Sequence, residues 1–211
     1  MFSGIVEDVG AVVAMNPSGG GALLRVATAI PLSEVRTGDS IAVSGACLTV
    51  TGKEEREFTC DVSAETLSRT TFHRLRPGSR VNLERSLTLS GRLDGHLVYG
   101  HVDGTGTVRE IRSTGESRVF HIQADPSIMK FVVYKGAVAV EGVSLTVSSV
   151  RTDGFDVALI PLTLGRTTFG LLRPGDPVNV ETDIIGKYVL RFLERRGDGV
   201  SLDFLKKHGY A

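Results

Sequence analysis

Tryptophan is absent, cysteine occurs only twice and aromatic residues make up 6% of the 211 positions. Cys47 and Cys60 alone cannot build a disulfide framework, and they lack the CxxC spacing of a zinc site. Neither sign of charge is in excess: Lys+Arg is 24 and Asp+Glu is 24, so the basic surplus expected of a nucleic-acid binder is missing. Long apolar runs are missing too. Phe131–Tyr134 and Gly136–Val140 are strand-length, far short of the roughly 20 residues of a membrane span. The N-terminus meets the acidic pair Glu7-Asp8 early, unlike an export signal, and Asn16-Pro17-Ser18 is barred from glycosylation by its proline. There is no Gly-x-Ser-x-Gly elbow and no dinucleotide fingerprint. Ser18-Gly19-Gly20-Gly21 lacks the Lys-Ser/Thr pair of a phosphate cradle and reads as a hairpin tip. His96 and His101 have no acidic residue at a zinc-motif position, and His73, His121 and His208 form no constellation. These absences predict a soluble cytoplasmic protein with no metal, membrane or nucleic-acid partner.

What is present is a duplication. Ala46-Cys47-Leu48-Thr49-Val50 returns as Val143-Ser144-Leu145-Thr146-Val147. Thr66-Leu67-Ser68-Arg69-Thr70-Thr71-Phe72 returns as Thr163-Leu164-Gly165-Arg166-Thr167-Thr168-Phe169, and Val81-Asn82-Leu83-Glu84 returns as Val178-Asn179-Val180-Glu181. The offset is 97 throughout, and Val43–Glu84 laid on Val140–Glu181 gives 19 identities in 42 positions without a gap. The N-terminal stretch Val6–Val12 matches Val102–Val108 one residue out of step. So long a period fits two tandem domains rather than a solenoid.

Each unit reads as β. Ser40–Val50, Glu57–Val62 and Arg80–Leu83 are rich in Val, Ile, Thr and Phe and are separated by Gly, Pro and Asp, as in a small antiparallel barrel or sandwich. The repeated Leu-x-Arg-Thr-Thr-Phe segment suits a short helix closing the barrel. Strand alternation puts Ala46, Leu48 and Val50, and likewise Val143, Leu145 and Val147, on a core face. Cys47, Thr49 and Thr51, and Ser144, Thr146 and Ser148, then share equivalent polar faces beside Gly45 and Gly142. Such a face is either a solvated Thr row or the floor of a ligand site. Cys60 alternates with Phe58 and Val62 and belongs to the core. Ile185, Tyr188, Val189, Phe192 and Leu193 form one helical stripe, ended by Gly197-Asp198-Gly199. Its cover is its own barrel or, as favoured here, another subunit. Arg196-Gly197-Asp198 is read as linker, not as an adhesion tripeptide.

Several motifs together resemble the riboflavin synthase family over essentially the whole chain. They are Met1-Phe2-Ser3-Gly4-Ile5-Val6, Ser44–Val50, Gly95-His96-Leu97-Val98-Tyr99-Gly100-His101, Tyr134-Lys135-Gly136, Glu141–Val147, Ile160-Pro161 with Thr163-Leu164, and Asn179-x-Glu181-x-Asp183. The resemblance implies an all-β fold: two tandem six-stranded antiparallel barrels, at 1–97 and 98–186, with a C-terminal α-helix in an oligomerisation tail at 187–211. It implies a cofactor-free transferase that converts two 6,7-dimethyl-8-ribityllumazine molecules into riboflavin and 5-amino-6-ribitylaminouracil by four-carbon transfer. It further implies a homotrimer, with sites between the N-terminal barrel of one subunit and the C-terminal barrel of the next, and raises lumazine synthase as a partner.

Carried onto this chain, the family pattern gives a first pocket of Gly4, Ile5, Val6, Cys47, Leu48 and Thr49, with Asp61, Val62, Ser63, Ala64, Glu65 and Thr66 on the ribityl chain. The second pocket takes Gly100, His101, Val102, Lys135, Ser144, Leu145 and Thr146 with Ala158, Leu159, Ile160, Pro161, Leu162 and Thr163. Ser40, Cys47, His101, Ser144 and Asp183 are the candidates for chemistry. Glu141 and Leu162 depart from the commoner pattern of an Asp or Asn before Gly142 and a polar residue after Pro161. Two other readings compete. A non-catalytic lumazine- or flavin-binding fluorescent protein shares the duplicated barrel, but both polar faces, Cys47, His101 and Asp183 are kept here. The flavin barrel of an oxidoreductase is normally followed by a nicotinamide-binding fingerprint, which is missing.

Overall fold

The computed structural model describes residues 1–195 together with 206 and 207. The expected helix end at Gly197–Gly199, the Arg196-Gly197-Asp198 tripeptide and His208 lie outside the described residues. The first unit contains β1 (Asp8–Ser18), β2 (Gly21–Ala27), β3 (Ser40–Val43), β4 (Ala46–Lys53), β5 (Glu57–Val62) and β6 (Arg80–Arg85), closed in the order β1-β2-β5-β4-β3-β6. In the second, β7 (Gly104–Thr114), β8 (Ser117–Ala124), β9 (Ala137–Val140), β10 (Val143–Val150), β11 (Gly154–Leu159) and β12 (Pro177–Thr182) close as β7-β8-β11-β10-β9-β12. All pairings within the barrels are antiparallel, and the repeat seen in sequence is thus a repeat of topology.

Closure of so small a barrel needs sharp bends, and bulges supply them. The register shifts between Val12 and Ala14 and between Val50 and Gly52 in the first barrel. It shifts at the equivalent places in the second, between Val108 and Glu110 and between Val147 and Ser149. The hairpin tip at Gly19-Gly20 joins β1 to β2 as expected. Ser40–Val50, read above as one strand segment, is instead two strands. Ser44 and Gly45 have φ of 41° and 86° and form a two-residue turn of the kind that matches strand twist. Glu141 and Gly142 repeat it in the second barrel with φ of 51° and 76°.

The expected core faces are buried. Ala46, Leu48 and Val50 join Phe58, Cys60, Phe72 and Leu83 in one cluster, and Val143, Leu145 and Val147 join Phe120, Phe155 and Phe169 in another. Each fully buried aromatic of this kind contributes on the order of 2–3 kcal/mol. Burial pushes the Cys60 thiol up to about 12, so it acts as a small apolar residue. The repeated Thr-rich segments form the short helices α1 (Ala64–Arg69) and α3 (Pro161–Arg166), each followed by a 3-10 turn. A third short helix, α2 (Pro126–Met129), precedes β9.

The barrels meet across a pseudo-two-fold axis. A Cβ on Gly45 would approach the Gly142 N–H at 2.8 Å, and one on Gly142 would approach the Gly45 N–H at 2.7 Å, so only glycine allows the two turns to touch back to back. Asn82 and Asn179 cross the axis in matching ways. The Asn82 side chain donates to Glu141 O and Thr168 Oγ1 and accepts from Thr168 N, while the Asn179 side chain donates to Ser44 O and accepts from Thr71 N. These bonds satisfy groups that burial would otherwise strand.

One sequence expectation fails here. His121 does belong to a constellation: its Nδ1 lies 2.8 Å from Asp156 Oδ1, with Arg112 and Arg151 on the other Asp156 oxygen at 3.0 and 2.9 Å. Burial alone would raise the Asp156 carboxyl, but hydrogen bonds from Arg151 and His121 outweigh it and hold it low. His121 and Asp156 are 35 residues apart and meet only because β8 pairs with β11. The last helix, α4 (Ile184–Arg195), leaves Ile185, Tyr188, Val189, Phe192 and Leu193 each more than half exposed. Among the described residues, the barrel of its own chain thus leaves Ile185, Tyr188, Val189 and Leu193 largely uncovered.

Candidate functional site

The segments preceding each barrel form two crossed arms. Phe2 and Val98 pair as an antiparallel bridge, with N···O distances of 2.7 and 3.0 Å, in a small buried cluster with Ala42 and Ala139. From there each arm reaches the other barrel. Gly4 O accepts from Ser144 N at 2.8 Å, and Gly100 O accepts from Cys47 N at 2.9 Å. Val6 packs on the second core and Val102 on the first. The assignment of Gly4–Val6 to the first pocket and Gly100–Val102 to the second is therefore reversed. The reason is tertiary: the arms exchange barrels, an arrangement that a repeat offset leaves open.

Glycine is required where the arms land. Gly4 and Gly100 have φ of 76° and 78°, a conformation costly for other residues. A Cβ on Gly4 would sit 2.6 Å from Ser144 Cβ, and one on Gly100 would overlap the Cys47 side chain. The close approach leaves the Cys47 and Ser144 side chains, at equivalent positions on β4 and β10, as matched floors.

Around Cys47, a cleft of about 290 Å³ is walled by Thr66, Glu65, Arg69, His101 and Val102. Ser63 caps α1 by accepting from Thr66 N at 3.0 Å, and the Glu65–Arg69 pair closes at 2.8 Å along the same helix. His101 is exposed, with its ring 5.8 Å from that of Tyr99. Thr49, Asp61 and Ala64 are exposed, whereas Leu48 and Val62 point into the core and can offer a ligand only backbone groups.

Around Ser144 the arrangement differs. His96 Nδ1 lies 2.7 Å from Ser144 Oγ, and the His96 N–H donates to Ser3 O at 3.1 Å. Burial lowers the His96 pKa, opposed by the nearby Asp183 carboxylate, so the imidazole stays neutral at pH 7 with Nε2 buried and unbonded among the described residues. His96, noted from sequence only within the linker motif and as lacking a zinc partner, was not among the site candidates, yet the fold brings it onto Ser144. The Gly-His-x-x-x-Gly-His spacing was the signal, but only the fold lays it over Ser144. Ala158, Ile160, Pro161 and Leu162 are exposed along the approach to α3 and Thr163 is half-buried, while Leu145 and Leu159 are core residues. Thr146 is exposed on the Ser144 face.

The remaining candidates stand elsewhere. Asp183 accepts from Ile185 N at 3.0 Å and caps α4. Lys135 occupies the turn before β9, its N–H on Val147 O and its Nζ 5.2 Å from the Tyr134 ring centre. Ser40 starts β3 and faces a separate cleft of about 720 Å³ together with Ser3, Ile5 and Glu84. Within one chain, then, Ser40 and Lys135 are not gathered at either floor. Among the described residues there is no group of three or more His, Cys, Asp or Glu able to hold a metal, and no helix long and apolar enough to cross a membrane.

Two closed barrels, each with a small thiol or hydroxyl side chain under an arm from the other, define a duplicated barrel unit with two equivalent floors. The chain belongs to the lumazine binding domain family, whose model matches residues 3–86 and again 99–183. It is 40% identical to riboflavin synthases of Actinobacillus pleuropneumoniae and Bacillus subtilis, with full coverage of both chains in each case. A riboflavin synthase of Mycobacterium bovis is 43% identical, covering 93% of this chain and all of the relative. Among solved structures, LumP complexed with riboflavin superposes with a TM-score of 0.78 at 25% identity, covering 87% of this chain and all of LumP. LumP complexed with 6,7-dimethyl-8-(1'-D-ribityl) lumazine gives 0.75 at 25% identity, covering 86% of this chain and 99% of LumP.

Proposed function

We propose that the protein is a riboflavin synthase: a cofactor-independent transferase that moves four carbons between two molecules of 6,7-dimethyl-8-ribityllumazine, giving riboflavin and 5-amino-6-ribitylaminouracil. The observation that carries this reading is the matched pair of floors, Cys47 under Gly100 and Ser144 under Gly4. A reaction between two identical substrates needs two like sites, and holding both reactants replaces a random encounter with an oriented one.

The two floors differ in chemistry, as donor and acceptor must. Cys47, in the open cleft beside His101, is the group to add to C7 of one lumazine, directly or by placing a water there. The acidic C7 methyl of the other lumazine needs only a modest base. Neutral His96, bonded to Ser144 and acted on by Asp183, takes that proton in this reading through the Ser144 hydroxyl. Thr66 and Glu65 on one side, and Thr163 and the exposed Ile160–Leu162 segment on the other, serve the ribityl chains. The exposed stripe of α4 supports a homotrimer in which Ser40 and Lys135 complete sites between subunits. The cytoplasm is the expected compartment, and lumazine synthase is a candidate partner.

The test mixes purified protein with 6,7-dimethyl-8-ribityllumazine without added cofactor and follows riboflavin by visible absorbance. Steady formation of one riboflavin per two lumazines consumed is the expected result. Tight binding with altered emission but no riboflavin would overturn the synthase reading and leave a lumazine-binding protein.

A further inference from the structure

Each crossed arm is gripped by a buried carboxylate that the reaction scheme leaves unused. Glu84, at the end of β6, accepts from Ser3 N and Ser3 Oγ at 2.7 Å each on Oε1 and from Gly4 N at 3.0 Å on Oε2. Its repeat partner Glu181, at the same place on β12, accepts from Tyr99 N at 2.7 Å. Both side chains are buried, at 6% and 4% exposure. These are the glutamates of the repeated Val-Asn-x-Glu motif. A buried carboxylate in this setting is retained only if its hydrogen bonds offset the loss of hydration, and here those bonds fall on Ser3 and Gly4 of one arm and on Tyr99, next to Gly100, of the other.

We infer that Glu84 and Glu181 are positioning residues acting across the barrel boundary: Glu84 of the first barrel sets the ligand site at Ser144 in the second, and Glu181 of the second sets the site at Cys47 in the first. The chain of contacts is short. Glu84 fixes Ser3 and Gly4, and Gly4 O is fixed on Ser144 N. Ser3 O holds the His96 N–H, whose ring reaches Ser144 Oγ. Glu181 fixes Tyr99, and the adjoining Gly100 O is fixed on Cys47 N, beside His101 at the cleft. The two clamps are unequal. Tyr99 stands where Ser3 stands in the first arm and offers no hydroxyl to its carboxylate. The Gly100 N–H favours the ionised Glu181 electrostatically, yet among the described residues no hydrogen bond of normal geometry reaches Oε2. The arm over Ser144 is thus held by three bonds and the arm over Cys47 more loosely, which makes the Cys47 site the one whose cover moves more readily.

This inference rests on the ligand reading above, and a double-mutant cycle separates the two. Glu84→Gln and Glu181→Gln put an amide N–H against an arm N–H and are each combined with Ser144→Ala and with Cys47→Ser. The readouts are kcat/KM for the lumazine and Kd for riboflavin, with unfolding midpoints measured alongside. Each glutamine variant is expected to lose about ten-fold in kcat/KM. Glu84→Gln should be non-additive with Ser144→Ala and additive with Cys47→Ser, and Glu181→Gln should show the reverse pattern. Equal coupling to both floors, or none to either, would overturn the proposal, since a merely structural role lowers stability without choosing a floor. If Glu84→Gln does not fold, Ser3→Ala removes one of the three bonds and enters the same cycle. A wild-type protein that binds riboflavin without turnover overturns the synthase reading alone, and the coupling pattern in Kd then decides the clamp. Failure to bind either ligand overturns both.

Discussion

Glu141 offers a sharp test of how the two barrels are joined. It sits in the β9–β10 turn, 7% exposed, with Oε1 accepting from Asn179 N at 2.7 Å and the Ser44 hydroxyl as its other partner. Burial raises its carboxyl from 4.5 to about 7, only partly offset by those hydrogen bonds. The fold therefore prefers the protonated acid. The unfolded chain ionises first as pH rises, so stability is lost between the unfolded and the folded pKa and then levels off. At about 1.4 kcal/mol per pH unit, the ionised side chain costs roughly 3 kcal/mol above neutrality. Glu141→Gln keeps an acceptor for Asn179 N and a donor for Ser44 while carrying no charge. Denaturant unfolding at fixed protein concentration should show the variant close to wild type near pH 5 and more stable by up to about 3 kcal/mol near pH 8.5. The same stability difference at both pH values would refute the reasoning, because it would mean that the cost at this turn is not one of burying charge.

The other expectations are briefer. Gly100→Ala places a methyl group onto Cys47 at a φ of 78°; it should cost about 2 kcal/mol or more in stability and weaken lumazine binding, read by unfolding and by titration. Cys47→Ser should lower turnover far more than binding, and full turnover would remove the thiol from the mechanism. Asp183→Ala loses both the α4 cap and the field at His96, so its pH–rate profile should shift toward lower pH as the His96 pKa falls; an unchanged rate and profile would remove Asp183 from proton movement. Val189→Lys puts a charge on the exposed stripe of α4 and should lower the mass seen by sedimentation without altering the barrels, whereas unchanged mass would place the subunit contact elsewhere.

Much of the architecture was legible because β structure writes a period of two into sequence. Ala46-x-Leu48-x-Val50 and Val143-x-Leu145-x-Val147 announced their buried faces, and Cys47 and Ser144 followed as the residues between them. The two-residue turn at Ser44-Gly45 was hidden inside Ser40–Val50, which read as a single strand, because Ser gives little notice of a positive φ. His121 and Asp156 were missed for a different reason: neither belongs to a local pattern, and strand pairing alone makes them neighbours.

By itself the sequence determined that there are two copies of one barrel, which residues fill each core and which small polar side chains form equivalent floors. It did so because burial and alternation are local, and duplication made each local pattern appear twice. Only the tertiary structure decided which arm covers which floor, that His96 bonds to Ser144, and that Glu84 and Glu181 hold the arms in place. Those contacts join segments 48 to 140 residues apart across a pseudo-two-fold axis. A repeat offset is the same whether each arm stays with its own barrel or crosses to the other; the glycines at positions 4 and 100, free to take a positive φ against the opposite floor, let the chain make the crossing.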